Sequence, residues 1–372
     1  MSQRRLRVGI IFGGQSGEHE VSVRSARGIL QALDTSRFEA VPIGIDRSGA
    51  WQLVEPRALL ATAAPGGEQA VVGQGALVRS LAALGPGKDE LERREAYDLR
   101  GRFGVDVFFP IVHGTLGEDG ALQGLLEMAG APYVGCGVLG SAVGMDKDVT
   151  KRLLRDAGLD VVDFIVARAE HAQPEELTRR VTAELGFPCF VKPANLGSSV
   201  GVVKVPGPHE LPAALATAFR YDRKLLIERA VDAREIETAV LGGAQPSVSL
   251  PGEIVPKHDF YSYEAKYLDP EGAELLVPAP LSPEQTERVQ GLSLRAFEAL
   301  ELEGLARIDF FLERGTGRWL VNEVNTLPGF TEVSMYARMW QQSGIGYSEL
   351  VTRLIELGLA RFEARRALAT ER

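Results

Sequence analysis

Cysteine is scarce in this chain of 372 residues: Cys136 and Cys189 are the whole supply. So few, so spaced, build neither a disulfide framework nor a zinc site, and each sits in an apolar stretch as a small hydrophobe would. A reducing compartment, hence a cytoplasmic location, is expected. Long hydrophobic runs are missing as well. No stretch approaches the ~20 apolar residues a membrane span requires. Arg4, Arg5 and Arg7 precede an apolar run over 8–12 only, too short for a secretory signal before Gly13 and Gly14 intervene. The net charge of −9 leaves no surplus of basic residues for the face or stripe of a nucleic-acid binder. It leaves room for a nucleotide, which needs only a few local cations. Nothing matches G-x-x-x-x-G-K-[ST], so ordinary P-loop chemistry is out. There is no internal repeat and no low-complexity tail. What remains is a soluble composition, 45% hydrophobic and 24% charged, long enough for two or three domains.

The first segment reads as α/β. Residues 6–12 form a continuous apolar run of the kind found in buried parallel strands. A glycine turn and a helical spacing over 21–33 follow, then strands over 38–45 and 105–112. Residues 55–104, rich in Ala, Gly and charge, lack a sustained period and are expected to be a variable insertion. A helix over 120–129 and a short strand and turn at 133–137 complete this unit. The second unit alternates helices (148–157, 174–185, 208–220) with strands (161–166, 189–192, 200–205, 225–228, 235–241). Its strand–Gly/Ser loop–strand pattern predicts an antiparallel hairpin, hence α+β. The third unit ends in an amphipathic helix over 348–366. The expected division is 1–143, 144–241 and 242–372.

Two acidic strands near the C-terminus carry the strongest chemical signal: Arg307-Ile-Asp309-Phe-Phe and Trp319-Leu-Val-Asn-Glu323-Val-Asn325. Gly315-Thr-Gly317 between them suits a hairpin loop. If those three residues form the loop, Asp309 falls opposite Glu323 and Arg307 opposite Asn325, all on one face. Opposed carboxylates repel, and a hard divalent cation with amide and carboxylate ligands removes that repulsion. An arginine beside such a metal suits a phosphate or a developing oxyanion. A solvated acidic face is the alternative, weakened by the apolar Ile308, Phe310 and Val324 in between.

Other residues extend the picture. Lys192 closes an apolar strand, where an inward lysine needs a partner such as a phosphate, and the Gly/Ser loop after it has amides that could approach phosphates; the alternative is a surface lysine beside a hairpin turn. Lys147 lies where a helix begins, a favourable place for anions. Glu228, Glu235 and Glu237 could accept from an adenine amino group and a ribose hydroxyl, or pair with Arg229 and Arg234. Glu18-His-Glu and the His113-to-Asp119 loop both follow strands of the first unit, at the sheet edge where open α/β sheets bind ligands, with turn chemistry and helix capping as the alternative. Gly135-Cys-Gly-Val-Leu-Gly140 matches G-x-G-x-x-G, but its strand is very short and it lies far past the first βα turn, so a tight turn fits better than a dinucleotide site.

Together these residues resemble the ATP-grasp superfamily and, within it, the D-alanine–D-alanine ligases. The resemblance rests on Gly13-Gly-Gln-Ser-Gly-Glu18-His-Glu-Val-Ser22, His113-Gly-Thr-Leu-Gly-Glu-Asp-Gly120, Met145-Asp-Lys147, Phe190-Val-Lys192-Pro, Gly197-Ser-Ser-Val-Gly201, Tyr263-Glu-Ala-Lys266-Tyr267, Gly304-Leu-Ala-Arg307-Ile-Asp309 and Asn322-Glu-Val-Asn325-Thr-Leu-Pro-Gly329. It spans nearly the whole chain except 55–104. It implies a Rossmann-like N-terminal domain and two α+β domains holding ATP between them. It also implies phosphorylation of one D-alanine carboxylate, attack by the amine of a second, and a dipeptide for peptidoglycan synthesis. Carried over by position, Lys147, Lys192 and Ser199 look like phosphate-side contacts and Lys266 a γ-phosphate contact. Glu228, Arg229, Ala230 and Val231 would lie along the adenine, with Glu235 on the ribose. Asp309, Glu323 and Asn325 look like ligands for two Mg²⁺ ions, for which Mn²⁺ would substitute. Glu18 would hold the first D-alanine, linked to Ser198 and Tyr267, with His113 nearby. Arg307 and the Gly329 N–H would stabilise an oxyanion, and Ser334 and Met335 would receive the second substrate. Two loops, 195–201 and 257–270, would exclude water from the acyl phosphate. Tyr267 looks like the dipeptide-forming type rather than the D-lactate type. A homodimer without nucleic-acid or membrane partners is implied. A non-catalytic nucleotide-binding regulator would lack metal ligands or the oxyanion arginine, and here all are present.

Overall fold

The computed structural model describes residues 4–61, the backbone of 76–77, and residues 98–256 and 272–368. Among them, fifteen strands form three sheets. The first contains β1 (Leu6–Gly13), β2 (Phe38–Ile45), β3 (Trp51–Leu53), β4 (Ala76–Leu77) and β5 (Val107–Pro110), in the order 4-3-2-1-5. β1 pairs in parallel with both β2 and β5, and its Val8, Ile10, Ile11 and Phe12 are fully buried, as a strand covered on both faces requires. The helix His19–Ala32 makes the crossover from β1 to β2. The carboxyl ends of β1 and β5 therefore lie side by side, and the loops beyond them carry Glu18 and His113. Gly13 turns the chain at φ +90°, and a Cβ there would come within 2.2 Å of the Ile45 carbonyl oxygen, so no other residue fits. Of the segment 55–104, helices Pro56–Ala61 and Leu99–Phe103 and the two-residue β4 are described, and 62–75 and 78–97 lie outside the described residues.

The second sheet is antiparallel throughout: β6 (Phe164–Arg168), β7 (Cys189–Pro193), β8 (Val203–Val205) and β9 (Lys224–Arg229), in the order 6-9-7-8. Helices Pro174–Glu184 and Leu211–Ala218 bury Leu177, Val181, Leu211 and Leu215 against Ile165, Val191 and Ile227. Every member of this core lies between residues 165 and 227.

The third sheet holds β10 (Ala233–Gly242), β11 (Ser247–Val248), β12 (Gly252–Pro256), β13 (Ala273–Leu276), β14 (Gly304–Glu313) and β15 (Trp319–Asn325), in the order 13-12-10-14-15 with β11 on β10. The strand expected to end the central unit, 235–241, is β10, and it pairs with β14 over ten residues instead. Residues 230–232 are enough to turn the chain out of one sheet and into the next, so the third sheet begins near 233 rather than 242. The first and third units share one core, in which Val8, Phe12 and Phe109 meet Leu305, Phe330, Tyr336 and Leu354. The terminal helix Tyr347–Arg366 seals it with Leu350, Val351, Leu354 and Ile355.

Candidate active site

The β14–β15 hairpin places Asp309 opposite Glu323 and Arg307 opposite Asn325, as the residue count predicts. Its far end differs from that count. Glu313 N–H donates to the Arg318 carbonyl (2.9 Å), so four residues rather than three close the loop. A register shift between Asp309 and Phe310, which skips Asn322, then restores the alignment at the polar end. Ile308, Phe310 and Val324 face the core.

Arg307 grips Asp309 with a two-toothed fork, Nε to Oδ1 and Nη2 to Oδ2, both 2.7 Å. Its Nε also lies 3.2 Å from Oε2 of Glu237, which sits opposite Asp309 on β10. Burial works against the Arg307 charge, but Asp309 and Glu237 outweigh it and raise the guanidinium pKa further. Asn325 Nδ2 donates to Asp309 Oδ2 at 3.0 Å. Asp309, Glu323 and Asn325 are hard oxygen donors on one face, a set that suits Mg²⁺ completed by substrate phosphates. Among the described residues no three His, Cys, Asp or Glu side chains cluster as a metal cage.

Lys147 opens the helix Lys147–Asp156 behind an Asp146 N-cap. Its Nζ donates to the Leu196 carbonyl at 2.7 Å and lies 3.9 Å from Glu323. Lys192 donates to Glu228 Oε2 at 2.7 Å, while Lys151 lies 3.1 Å from Oε1 of the same carboxylate. Burial opposes the charges of all three. The two lysines outweigh it at Glu228, whose pKa is lowered, and Glu228 outweighs it at Lys192, whose pKa is raised. At Lys151 burial prevails and its pKa falls. The Gly/Ser loop follows β7, with Ser198 and Ser199 at φ +51° and +59°, a region that residues other than glycine enter at a cost. Ser198 Oγ donates to Glu18 Oε1, tying this loop to the first unit. His113 is buried, with Nδ1 donating to the Leu327 carbonyl (3.1 Å) and Nε2 3.1 Å from Ser25 Oγ. Burial disfavours its charged form, but Glu118, 3.4 Å away, prevails and raises its pKa.

These groups border one cleft of about 400 Å³. Seven carboxylates line it (Glu18, Glu118, Glu228, Glu235, Glu237, Asp309, Glu323) against four basic side chains (Lys147, Lys192, Arg229, Arg307). So acidic a wall repels a polyphosphate unless cations accompany it, which is the demand that divalent metal ions meet.

A family model described as D-ala D-ala ligase N-terminus matches residues 7–136, and one described as D-ala D-ala ligase C-terminus matches 153–356. D-alanine–D-alanine ligase A of Chromobacterium violaceum is 51% identical over 365 residues, 98% of each chain. The Escherichia coli protein of that name is 48% identical, over 98% of this chain and 99% of its own. The solved D-alanine–D-alanine ligase of Coxiella burnetii superposes with a TM-score of 0.82 at 36% identity, covering 98% of this chain and 97% of its own. A D-Ala:D-Ser ligase from Enterococcus faecalis gives 0.81 at 33%, covering 95% and 100%. The chain belongs to the D-alanine–D-alanine ligase family. Its fold is the ATP-grasp fold of that family, and an ATP-dependent ligase is what such a cleft serves.

Measured against this ligase reading, the described candidates gather well. Glu18, His113, Lys147, Lys192, Ser198, Ser199, Glu228, Arg229, Val231, Glu235, Arg307, Asp309, Glu323, Asn325, Gly329, Ser334 and Met335 all line the cleft. Ala230 does not; its N–H is spent on the Pro188 carbonyl at 3.1 Å. Lys266, Tyr267 and the whole 257–270 loop lie outside the described residues. Of the arginines weighed as partners for Glu228, Glu235 and Glu237, Arg229 pairs with Glu313 (3.1 Å) and Arg234 with Glu253 (2.7 Å), while Glu228 pairs with Lys192 and Lys151 and Glu237 with Arg307. Sequence reasoning missed Lys151, which is 1% exposed. Its spacing of four from Lys147 was the available signal, since it puts both ammoniums on one helix face. It also missed Lys224, which holds the Asp146 cap at 2.5 Å and Asp148 at 3.3 Å.

Proposed function

We infer that this chain is an ATP-dependent ligase that joins two D-alanines into D-alanyl-D-alanine for peptidoglycan synthesis. The observation that carries the reading is the meeting, in one cleft, of two lysines, an Asp–Glu–Asn face with its arginine, and the Glu18–Ser198 contact. Lys147 and Lys192 take the nucleotide phosphates, with Lys266 and the Ser199 loop over them. The adenine lies along Glu228, Arg229 and Val231, and the ribose on Glu235. Two Mg²⁺ ions, or Mn²⁺ in their place, would be held by Asp309, Glu323 and Asn325, and would offset phosphate charge during transfer. Phosphoryl transfer is mostly positioning and charge compensation, which is what this set of groups provides.

Glu18 receives the ammonium of the first D-alanine and, through Ser198 and Tyr267, links substrate capture to closure of the loops. Arg307 and the Gly329 N–H stabilise the oxyanion formed when the second amine attacks. Ser334, N-cap of the helix Met335–Gln342, and Met335 receive the second carboxylate. A D-alanine–D-serine ligase shares this fold, so the second substrate is chosen within the fold, and Tyr267 favours D-alanine here. A cytoplasmic homodimer goes with the reading; separately, among the described residues no helix is long and apolar enough to cross a membrane.

The test is phosphate release from ATP and Mg²⁺ with D-alanine, against L-alanine and against D-alanine plus D-lactate or D-serine, with products weighed by mass spectrometry. D-alanine-dependent release with a D-alanyl-D-alanine product supports the reading. Turnover only with another acid or amine discards the substrate assignment, and nucleotide binding without turnover favours a regulator.

A further inference from the structure

The cluster behind the phosphate site is unbalanced. Glu228, 1% exposed, is the carboxylate between two ammoniums: Lys192 at 2.7 Å, which faces the cleft, and Lys151 at 3.1 Å, which does not line it. Lys151 lies one helical turn beyond Lys147, so a single helix face carries a front lysine at the cleft and a rear lysine against Glu228. A phosphate that recruits Lys192 must draw it from Glu228. Were Lys192 the sole partner, that exchange would strand a buried carboxylate, a heavy cost in a protein interior.

We propose that Lys151 is a positioning residue for nucleotide binding: it holds one oxygen of Glu228, so Lys192 can leave the other for a phosphate. Lys151 itself never reaches the ligand. The proposal rests on the nucleotide reading above, and it gives a role to a buried charge that the reading leaves unused. The third charge is also supplied at no cost to the cleft: when phosphate replaces Glu228 beside Lys192, each ammonium keeps one anionic partner.

The test is calorimetric titration of the full chain with ADP and Mg²⁺, and separately with adenosine, which lacks phosphates. Lys151→Met is expected to weaken ADP by about tenfold or more, a loss of at least ~1.4 kcal/mol, and adenosine by no more than about twofold. Lys151→Arg, which keeps the charge, restores ADP affinity to within about threefold of wild type. Glu228→Gln removes the carboxylate that needs holding, so Lys151→Met/Glu228→Gln binds ADP no more weakly than Glu228→Gln alone. Should Lys151→Met fail to fold, the last comparison still decides. Unchanged ADP affinity in Lys151→Met, equal losses for ADP and adenosine, or a further loss in the double variant each overturn the proposal. Wild-type protein that binds no ADP overturns the nucleotide reading instead.

Discussion

Replacing Arg307 by alanine separates the site's two tasks, nucleotide binding and bond formation. The fork to Asp309 and the contact with Glu237 make Arg307 the common counter-ion of two carboxylates that face each other on adjacent strands, 9% and 4% exposed. Removing one partner of a buried ion pair costs about 3–5 kcal/mol. Arg307 keeps 19% of its side-chain surface, so the lower end, ~3 kcal/mol, is expected. A divalent ion on Asp309 would return part of that, so Mg²⁺ should raise the melting temperature more in Arg307→Ala than in wild type. Catalysis loses an oxyanion donor, worth a factor of roughly 10²–10³ in turnover. Arg307→Lys keeps the charge but not the fork, and should recover stability better than rate. Nucleotide affinity should stay within about threefold, because Lys147 and Lys192 are untouched. Dipeptide formation by mass spectrometry, ADP titration and thermal melts with and without Mg²⁺ read these effects. Loss of ADP binding, or turnover within about tenfold of wild type, would refute the assigned role.

Three further outcomes follow from the same geometry. Ser198→Ala removes a hydroxyl bond to a carboxylate, worth about 1.5–3 kcal/mol, so the KM for D-alanine should rise about tenfold or more while ADP affinity holds; an unchanged KM counts against the loop link. Glu323→Gln should raise the Mg²⁺ concentration needed for half-maximal phosphate release by about tenfold or more, and an unaltered Mg²⁺ titration would remove Glu323 from the ligand set. His113 has a raised pKa in the folded chain, so its contribution to stability is full below the ordinary value of about 6.5 and lost as pH rises through the folded value. The difference in melting temperature between wild type and His113→Asn should therefore shrink from pH 6 towards pH 9, and a difference that widens would contradict the Glu118 pairing.

Local signals carried the fold where the physics is local. The apolar run of β1, the glycines at its end and the alternation of the acidic strands each act over a few residues, and all appear where expected. The hairpin register held at Asp309 and Glu323 even though the loop took four residues, because a bulge absorbed the difference. Such compensation cannot be read from composition. Partnership across distance was less legible. β10 reads as a strand from its own residues, but its choice of β14 over β9 depends on a core assembled from segments far along the chain. Lys192 and Glu228 were each assigned to a ligand, and their mutual pairing comes from the antiparallel match of β7 with β9, which aligns Phe190 with Glu228. Lys151 sits in a strongly charged helix where solvent is the default expectation, and its burial goes with the Glu228 carboxylate 3.1 Å away.

The way the cores divide bears on how such a site closes. The first and third sheets share one apolar cluster, so the wall that carries Glu18, Arg307 and Asp309 rests on a single core. The central sheet keeps its cluster within 165–227, and among the described contacts at the cleft it meets its neighbours through polar groups: Ser198 with Glu18, Leu196 with Lys147, Glu228 with Lys151. The apolar packing it shares with the third sheet is narrow, chiefly Phe164 of β6 against the cluster of Ile308, Phe310 and Val321, so opening that side exposes little apolar surface at about 25 cal/mol for each Å². It breaks instead polar contacts, among which the hydrogen bonds to charged groups are each worth about 1.5–3 kcal/mol. Three of those groups, Glu18, Ser198 and Lys147, are the ones proposed above to engage substrate and phosphate. On the proposed reading, ligand binding therefore acts on contacts that hold the central sheet against its neighbours.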